Sequence, residues 1–326
     1  MVKLETCTHD TVDVKELAAF TSKVYQSQAQ PFRYGDTESD IQSFLSDQHH
    51  CPDFLVLARE DGVLVGWAGL YHWTESMSYL LSWHPLVVPF NVQTARRLLR
   101  ECIRHSESSG RDRMEVFLMS LTDEYRGLAS QYKEIYEPAG MKQGYEWKFM
   151  EAYLDSPDLK IPQLPRTMRI VPLVEVSNDT LWPSYDAIFM SGGDRRYAEQ
   201  SPKERRENFE GFFSRKTRYD ENASIVLYDN EHIIGFVKID LISEGAYVHG
   251  VGILPEYRKR GLGKFVLGTS MLRAAQGNQK KMILEVDVEN VSAIRLYESL
   301  GFRQVKGSIS YIWQKSEKTS RPKSRA

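Results

Sequence analysis

The sequence predicts an α/β protein, in the broad sense that includes α+β, built from two similar domains in tandem. The chain has 326 residues, which is room for two ordinary domains. Its two halves repeat the same order of strand, turn and strand, followed later by a strand and a helix. A proline-rich segment, DSPDLKIPQLPRT at residues 155–167, separates the halves. Because proline cannot donate to a sheet ladder and disfavours helix, this segment is predicted to be an extended linker.

Each half contains a predicted hairpin. The segment FLVLAREDGVLVGWAGL alternates as strand, turn and strand around Asp61-Gly62, and ASIVLYDNEHIIGFVKI does so around Asp229-Asn230. Further on, YKEIYEPAGMKQ in the first half matches AIRLYESLGFRQ in the second, with Gly140 and Gly301 at the same place. Any two α/β domains share a strand–turn–strand order, but the matched AGMKQ and LGFRQ segments favour a duplication.

Composition narrows the class of protein. The formal net charge of -2, with 41% hydrophobic and 26% charged residues, is typical of a soluble globular protein. It argues against a protein that mainly coats nucleic acid or an anionic membrane. Residues 76–95 carry no formal charge, but proline and polar residues interrupt them, so they are predicted to be domain interior, not a membrane span.

The cysteines indicate the compartment. Cys7, Cys51 and Cys102 are widely spaced and form no CxxC motif, which argues against a disulfide framework or a zinc site. The first residues are charged and lack the apolar core of a signal peptide. We therefore expect a cytoplasmic protein.

The segment VGILPEYRKRGLGKF, residues 251–265, suggests a phosphate site. The strand-like run before it ends at Pro255, and apolar residues at helical spacing follow Gly263. A helix N-terminus offers unpaired N–H groups and partial positive charge to an anion. Gly261 and Gly263 allow close backbone approach, and basic side chains surround them. The basic residues are Arg258, Lys259, Arg260 and Lys264.

Two familiar phosphate loops do not fit this segment. A Walker loop needs glycine where Arg258 stands and Ser or Thr where Phe265 stands. The dinucleotide fingerprint is G-x-G-x-x-G, whereas this loop is R-x-x-G-x-G. Taken alone, the segment could also be a basic turn with two conformational glycines.

The segment that follows gives the loop a specific context. R-x-x-G-x-G after a strand, then LEV…N…A…LYESLGF, resembles the GNAT superfamily of acetyl-CoA-dependent N-acetyltransferases. The second half resembles ribosomal-protein alanine acetyltransferases, whose corresponding segment also reads LEV…N…LYESLGF. The resemblance covers residues 168–315 well and the first half in outline. A layout of two copies with an active C-terminal copy is also similar to that of mycothiol synthases.

The resemblance implies two tandem GNAT-like domains, each a mixed, mostly antiparallel twisted sheet flanked by helices. We expect a degenerate domain at 1–155, a linker at 156–167, a catalytic domain at 168–315 and a basic, disordered tail at 316–326. No glycine occurs between Gly69 and Gly110, where the first half should have its anion-binding turn. That half is therefore predicted not to bind coenzyme A in the standard way.

The resemblance also implies roles for residues of the second half. The loop would bind the pyrophosphate of acetyl-CoA, and the strand before it would splay from its neighbour so that the pantetheine arm pairs with backbone near Val251 and Ile253. Asn290 would contact the same arm, and no metal is expected. The cofactor-binding set is Val251, Ile253, Arg258, Lys259, Arg260, Gly261, Leu262, Gly263, Lys264 and Asn290.

The resemblance implies that two residues are the catalytic candidates. Tyr297 would protonate the departing sulfur, although it also fits a tyrosine packed in the core. Glu285 would take the proton of the amine, directly or through water, although it also fits a solvated carboxylate. His249, on the strand before the loop, is a second candidate base because an imidazole titrates near neutral pH.

The predicted function is transfer of acetyl from acetyl-CoA to a primary amine of a small molecule or peptide, by direct attack in a ternary complex. The alternative is an acyl-CoA-binding regulatory module without turnover. Recruitment of nucleic acid by the basic tail is a weaker hypothesis, and the sequence does not predict the oligomeric state. By the resemblance, the region that helps line the acceptor groove contains Tyr185, Asp186, Asp194, Arg195, Arg196 and Tyr197, although these residues fit a surface helix and loop equally well.

Overall fold

The computed structural model describes residues 1–47, 51–154, 160–213 and 219–315. It divides into two compact units. The first unit contains Met1–Tyr145 and the C-terminal segment that begins at Gly307, and the second contains Glu146–Lys306. The predicted basic tail, residues 316–326, and the first residues of the predicted linker lie outside the described part of the chain.

The first unit is a mixed sheet with helices. Its strands follow the order β1-β2-β3-β4-β6-β13, with β5 paired to β3, and only β4 and β6 run parallel among the pairs described. The strands are β1 (Val2–Cys7), β2 (Phe54–Glu60), β3 (Val63–His72), β4 (Met77–Leu80), β5 (Leu86–Val87), β6 (Arg113–Leu121) and β13 (Arg303–Gln314). The helices are α1 (Val14–Gln28), α2 (Glu38–Ser46), α3 (Val92–Ser108) and α4 (Arg126–Tyr136).

The second unit repeats this arrangement. Its strands follow the order β7-β12-β11-β10-β9-β8, and β11 and β12 are the parallel pair. The strands are β7 (Lys142–Tyr153), β8 (Met168–Pro172), β9 (Ile225–Asp229), β10 (His232–Ile242), β11 (Gly245–Ile253) and β12 (Lys281–Asp287). The helices are α5 (Asn178–Met190), α6 (Arg195–Ala198), α7 (Pro202–Phe212), α8 (Leu262–Gln276) and α9 (Val291–Glu298). Both sheets are mixed and mostly antiparallel, which confirms the predicted fold class.

Both predicted hairpins form. Strands β2 and β3 turn at Asp61 and Gly62, which have φ angles of 50° and 84°. Strands β9 and β10 turn at Asn230, with φ 51°. Since positive φ favours Asn, Asp and Gly, these residues mark the turns in the sequence itself.

The boundaries of the units differ from the predicted domain boundaries at two strands. Strand β7 closes the first half of the sequence, yet from Trp147 onward it pairs with β12 of the second unit. Strand β13 closes the second half, yet from Gly307 onward it pairs with β6 of the first unit. The predicted domains, 1–155 and 168–315, assumed that each half keeps its own last strand. An alternating pattern predicts that a segment is a strand, but not which strand it pairs with.

The other expectations about segments have clear outcomes. Residues 160–165 of the predicted linker form neither helix nor strand. The uncharged stretch 76–95 contains β4, β5 and the start of α3, with many buried residues. In the described part of the chain, every helix is too short or too polar to cross a membrane. The three cysteines are free thiols.

Candidate functional site

The two parallel strands of the second unit, β11 and β12, diverge and leave an opening between them. Strands β11 and β12 pair only at Ala246↔Met282 and Tyr247↔Ile283. Beyond that point β11 continues to Ile253 and β12 to Asp287 without further pairing. A bulge contributes, because Val248 pairs with Ile239 and Gly250 with Lys238, so that His249 is an extra residue on β11. Bulges bend a strand locally. The divergence is the one that the resemblance implied.

The backbone of β11 faces this opening at two residues. The N–H of Leu254 donates to the carbonyl of Ile234, 2.9 Å away. In an antiparallel ladder successive residues alternate in the direction of their backbone hydrogen bonds. Gly252 therefore bonds toward β10, whereas Val251 and Ile253 turn their N–H groups toward the edge that β12 has left. These are the two residues expected to pair with a ligand's extended arm.

The turn after β11 ends on a helix N-terminus with unpaired amides. Gly261 is the N-cap of α8, with φ 79° and no side-chain cap, and Lys259 has φ 61°. The first helical hydrogen bond found at this end joins the N–H of Phe265 to the carbonyl of Gly261, 3.0 Å away. Among the described residues, the N–H groups of Lys259 to Lys264 have no acceptor. This row of amides fits an anionic group such as a diphosphate.

The four basic residues of the turn play different parts. Lys259 and Lys264 line the opening, and within the described chain neither forms an ion pair. Arg258 also borders the opening, but its guanidinium donates to the carbonyls of Ile253 (2.9 Å), Ile188 (3.0 Å) and Ser191 (2.7 Å).

Arg260 points elsewhere. It lies 5.2 Å from the ring of Tyr257 and donates to the carbonyl of Glu256 at 2.9 Å. Arg258 and Arg260 thus make contacts within the protein, whereas Lys259 and Lys264 face the opening. The number of charges in the sequence does not distinguish these two pairs.

The opening is a cleft of about 1000 Å³ within the second unit. One wall is β11, and the opposite wall is the end of β12 with the start of α9. A Cβ on Gly193 would lie 2.7 Å from Cγ of Asn290, so only glycine lets the loop after α5 approach α9 here. Asn290 lines the cleft and caps α9, because its Oδ1 accepts the N–H of Ala293 at 3.2 Å. The capping role was not anticipated. Leu262 and Gly263 also line the cleft.

Tyr297 borders the same cleft from α9. Burial raises the pKa of its phenol to about 12. Among the described residues, the hydroxyl has no hydrogen-bond partner, and Phe302 is the aromatic neighbour, with the ring centroids 5.9 Å apart. The phenol is therefore protonated at neutral pH and free to donate to a ligand atom.

Glu285 lies on β12 in the cleft, where its side chain is exposed to solvent. Desolvation by the surrounding protein atoms raises the pKa of its carboxyl above the ordinary value. The hydrogen bond from the hydroxyl of Tyr247 (3.2 Å) and the charges of Lys306 and Arg196 only partly oppose this rise. Burial in turn lowers the pKa of Arg196 to about 10.

His249 belongs to a chain of charged groups on β10 and β11. Its Nδ1 lies 2.5 Å from Oδ2 of Asp240, and Asp240 also pairs with the ammonium of Lys238. Lys238 is only 2% exposed and lies over the rings of Phe213 and Tyr219. Burial raises the pKa of Asp240, but the bonds from His249 and Lys238 outweigh it and lower the pKa below the usual range. His249 lines the cleft.

The predicted acceptor-groove residues divide into two groups. Tyr185 is buried among aromatic rings, and Asp186 accepts from the hydroxyl of Tyr197 (2.7 Å) and from Arg205 (2.8 Å), so these three residues hold α5, α6 and α7 together. Asp194 lines the cleft, and burial raises the pKa of its carboxyl.

Arg195 forms a bidentate ion pair with Asp287, with both contacts at 3.1 Å, and so ties the start of α6 to the end of β12. Arg258 ties the C-terminal end of α5 to the end of β11.

Three residues of this site, Asp240, Lys238 and Tyr247, are not predicted from the sequence. A signal was present, since Lys238 and Asp240 interrupt the otherwise apolar run IIGFVKIDLI two residues apart. Charged residues in a strand of that kind indicate a buried pair. In the described part of the chain, no group of three or more His, Cys, Asp and Glu side chains could hold a metal ion.

The second unit contains the segment that is similar in sequence to known proteins. Residues 182–302 match the model of the acetyltransferase (GNAT) family. Mycothiol acetyltransferase of Corynebacterium glutamicum is 31% identical over 94 residues, which are 28% of this chain and 32% of that protein. The [ribosomal protein bS18]-alanine N-acetyltransferase of Haemophilus influenzae is 34% identical over 82 residues, 25% of this chain and 56% of that protein. The chain thus spans about a third to a half of these relatives.

Solved structures extend the likeness to nearly the whole chain at the level of fold. A GCN5-related N-acetyltransferase from Sphaerobacter thermophilus has a TM-score of 0.68 at 14% identity, covering 96% of this chain and 95% of that one. A tandem GNAT protein from the clavulanic acid biosynthesis pathway has a TM-score of 0.61 at 12% identity, covering 97% and 99%. The chain therefore has the fold of these solved structures over nearly its whole length, and its residues 182–302 match the acetyltransferase (GNAT) family model.

Proposed function

We propose that the protein is an N-acetyltransferase that moves the acetyl group of acetyl-CoA to a primary amine, and that the second unit is the active one. The divergence of β11 from β12 carries this proposal. It opens one cleft that has unpaired amides at one end and titratable side chains further in. The acceptor is an amine of a small molecule or peptide, and a cytoplasmic location agrees with the three free cysteines.

The cosubstrate fits the cleft by its chemistry. The diphosphate of coenzyme A would lie on the amides of residues 259–264, with Lys259 and Lys264 as counter-charges. The pantetheine arm would pair with the outward backbone of Val251 and Ile253, and the amide of Asn290 would reach the same arm. Within this set Arg258 is held beside the cleft by hydrogen bonds from its guanidinium to three carbonyls, and its positive charge would add to those of Lys259 and Lys264.

The reaction requires stabilisation of the leaving thiolate and removal of a proton from the amine. The lone pair of the amine attacks the thioester carbonyl carbon, the C–S bond breaks, an amide forms, and coenzyme A leaves as a thiolate that becomes a thiol. Tyr297 donates a hydrogen bond to the sulfur as charge develops there. Since a thiol has a pKa of about 8.5 and this phenol about 12, the proton stays mainly on Tyr297, and solvent supplies the proton of the free thiol. Glu285 or His249 removes the proton of the amine.

Substitution of Gly261 by Glu tests the anion cradle. The positive φ strains any L side chain at this position, and a carboxylate there would repel phosphate. We expect the affinity for acetyl-CoA, measured by calorimetry, to fall by about 100-fold or more, which corresponds to the loss of roughly 3 kcal/mol of charge-assisted bonds. Gly110→Glu is the matched control, because Gly110 also has a positive φ, +85°, and lies in the first unit.

Equal affinity in the wild type and in Gly261→Glu would contradict the cradle. Turnover is tested separately by measuring thiol release with a panel of amines. The panel includes glucosamine, spermidine and a peptide whose first residue is alanine. Tight binding of acetyl-CoA with no thiol release from any amine would favour the non-catalytic acyl-CoA-binding module instead.

A further inference from the structure

We propose that His249 is the group that accepts the proton of the acceptor amine, and that Asp240 positions it. This inference rests on the acetyl transfer proposed above and assigns its base. It makes Glu285 a counter-charge for the incoming ammonium.

The geometry fixes the imidazole at one nitrogen and leaves the other available. Nδ1 of His249 is hydrogen-bonded to Oδ2 of Asp240, whereas Nε2 has no partner among the described residues. The ring of Phe212 stands edge-on to the imidazole, with centroids 4.5 Å apart, and limits its rotation. The bulge on β11 places this residue where no residue of β10 stands opposite it. His249 is thus held in one orientation on the wall of the cleft.

Asp240 selects the tautomer that can act as a base. Its carboxylate is ionised, since Lys238 and His249 both stabilise the charge, and an ionised carboxylate only accepts hydrogen bonds. Nδ1 must therefore carry the hydrogen, and the lone pair of the neutral imidazole lies on Nε2. The same logic orients the histidine of a Ser-His-Asp triad. The buried Lys238 keeps the carboxylate in place and stays outside the cleft lining.

Glu285 is in a different situation. Its carboxylate already accepts the hydroxyl of Tyr247, and the cations of Arg196 and Lys306 stabilise its charged form. Burial still raises the pKa of this carboxyl above its usual range, so the pKa does not separate the two candidates. The separation is geometric, because the carboxylate of Glu285 is already engaged by Tyr247, whereas Nε2 of His249 has no partner among the described residues.

The proton balance is simple. The ammonium form of the acceptor gives one proton to Nε2 of His249, which becomes an imidazolium paired with Asp240. The amine nitrogen then attacks the thioester, and it loses its second proton to water as the amide forms. The imidazolium returns its proton to solvent before the next cycle, and the thiolate takes one from solvent. No oxidant, reductant or metal is involved in any step.

The test compares variants at His249, using the amine of the panel that gives the fastest thiol release with the wild type. His249→Asn can still donate to Asp240 but has no base, and we expect kcat to fall by about 100-fold or more. The KM for acetyl-CoA should stay within about twofold, because the imidazole lies apart from the phosphate end. In His249→Ala, added imidazole should restore about tenfold of the lost rate, a readout that a purely structural role would not give.

Two further variants complete the test. Asp240→Asn would donate to Nδ1 and move the hydrogen to Nε2, so it should lower kcat by about 100-fold. His232→Asn, on the exposed start of β10, is the matched control and should leave kcat unchanged. Glu285→Gln should mainly raise the KM for the amine.

The outcomes separate this inference from the proposed function. If the wild type releases thiol and His249→Asn does so at a similar rate, the base assignment is wrong while the acetyltransferase stands. The assignment is equally overturned if imidazole fails to restore His249→Ala, or if Glu285→Gln alone abolishes kcat. If no amine elicits thiol release from the wild type, it is the proposed function that fails.

Discussion

The two units share a fold but treat its parallel strand pair in opposite ways. In the second unit β11 and β12 separate after Tyr247. In the first unit β4 and β6 pair from Met77 to Leu80, and side chains then hold the segment after β4 to β6. The hydroxyl of Ser82 donates to the carbonyl of Phe117 at 2.7 Å, and the indole of Trp83 donates to that of Met119 at 2.7 Å. The position that is a cleft in one unit is closed in the other.

The helix that follows differs in the same direction. In the first unit Asn91 caps α3 and accepts the N–H of Thr94 at 2.9 Å, so one amide of that N-terminus is satisfied by the chain itself. In the second unit Gly261 offers no cap. The tyrosines at matching positions follow suit, because the hydroxyl of Tyr136 donates to the carbonyl of His84 at 2.7 Å, whereas that of Tyr297 has no partner among the described residues. A few side chains thus distinguish an open copy of this fold from a closed one.

The largest expected effect comes from removing the hydroxyl of Tyr297, and removal of the matching hydroxyl of Tyr136 is the comparison. Tyr297→Phe should lower kcat for acetyl transfer by about 100-fold, because a preorganised donor to the leaving sulfur is lost. Tyr136→Phe should leave kcat unchanged and lower the free energy of unfolding by about 1 kcal/mol, because it strands a buried carbonyl. Thiol-release kinetics and urea unfolding on both variants check this pair. Equal kcat in wild type and Tyr297→Phe would remove the catalytic distinction between the units.

A smaller effect is expected at alkaline pH. Burial raises the pKa of Tyr297 from 10.0 to about 12, so between these values the unfolded chain loses this proton and the folded chain keeps it. The contribution of this group to stability is therefore complete below pH 10 and declines as pH rises toward 12. Near pH 11 the loss is about 1.4 kcal/mol. The free energy of unfolding of wild type minus that of Tyr297→Phe should fall by this amount between about pH 8 and about pH 11, and a constant difference would mean that the phenol is not buried.

The smallest effect is expected at the cap of α3. Asn91→Ala should lower the free energy of unfolding by about 1 kcal/mol, the usual effect of losing an N-cap. The affinity for acetyl-CoA should not change, because the proposed cradle lies on α8. Asn91→Ser, which can still cap, is the control, and urea unfolding with calorimetry measures both properties. A weaker affinity for acetyl-CoA in Asn91→Ala would show that the first unit takes part in binding.

The sequence predicted what local chemistry determines. Asp61-Gly62 and Asn230 mark turns because few residues accept positive φ, and Gly140 and Gly301 end their helical segments with φ of 88° and 89° for the same reason. The R-x-x-G-x-G turn was recognisable because its glycines and its helix N-terminus stand side by side in the chain.

Features that depend on distant residues were beyond the sequence. The hydrogen bonds of Arg258 to the carbonyls of Ile188 and Ser191 join it to residues some seventy positions earlier in the chain. The bond between His249 and Asp240 depends on a bulge, and a bulge leaves no mark on an alternating pattern. The resemblance predicts a ligand contact for Asn290, whereas its role as the N-cap of α9 depends on where that helix begins.

The placement of strands β7 and β13 determines the order in which the two units can complete their sheets during synthesis. Residues 307–314 contribute a strand to the sheet of the first unit, so this sheet stays incomplete on the ribosome until residue 314 has been made. The second unit, whose residues run without interruption from Glu146 to Lys306, has every strand it needs earlier. The first unit is thus finished after the second, and a nascent chain halted at the linker would carry β7 without β12, with which it pairs.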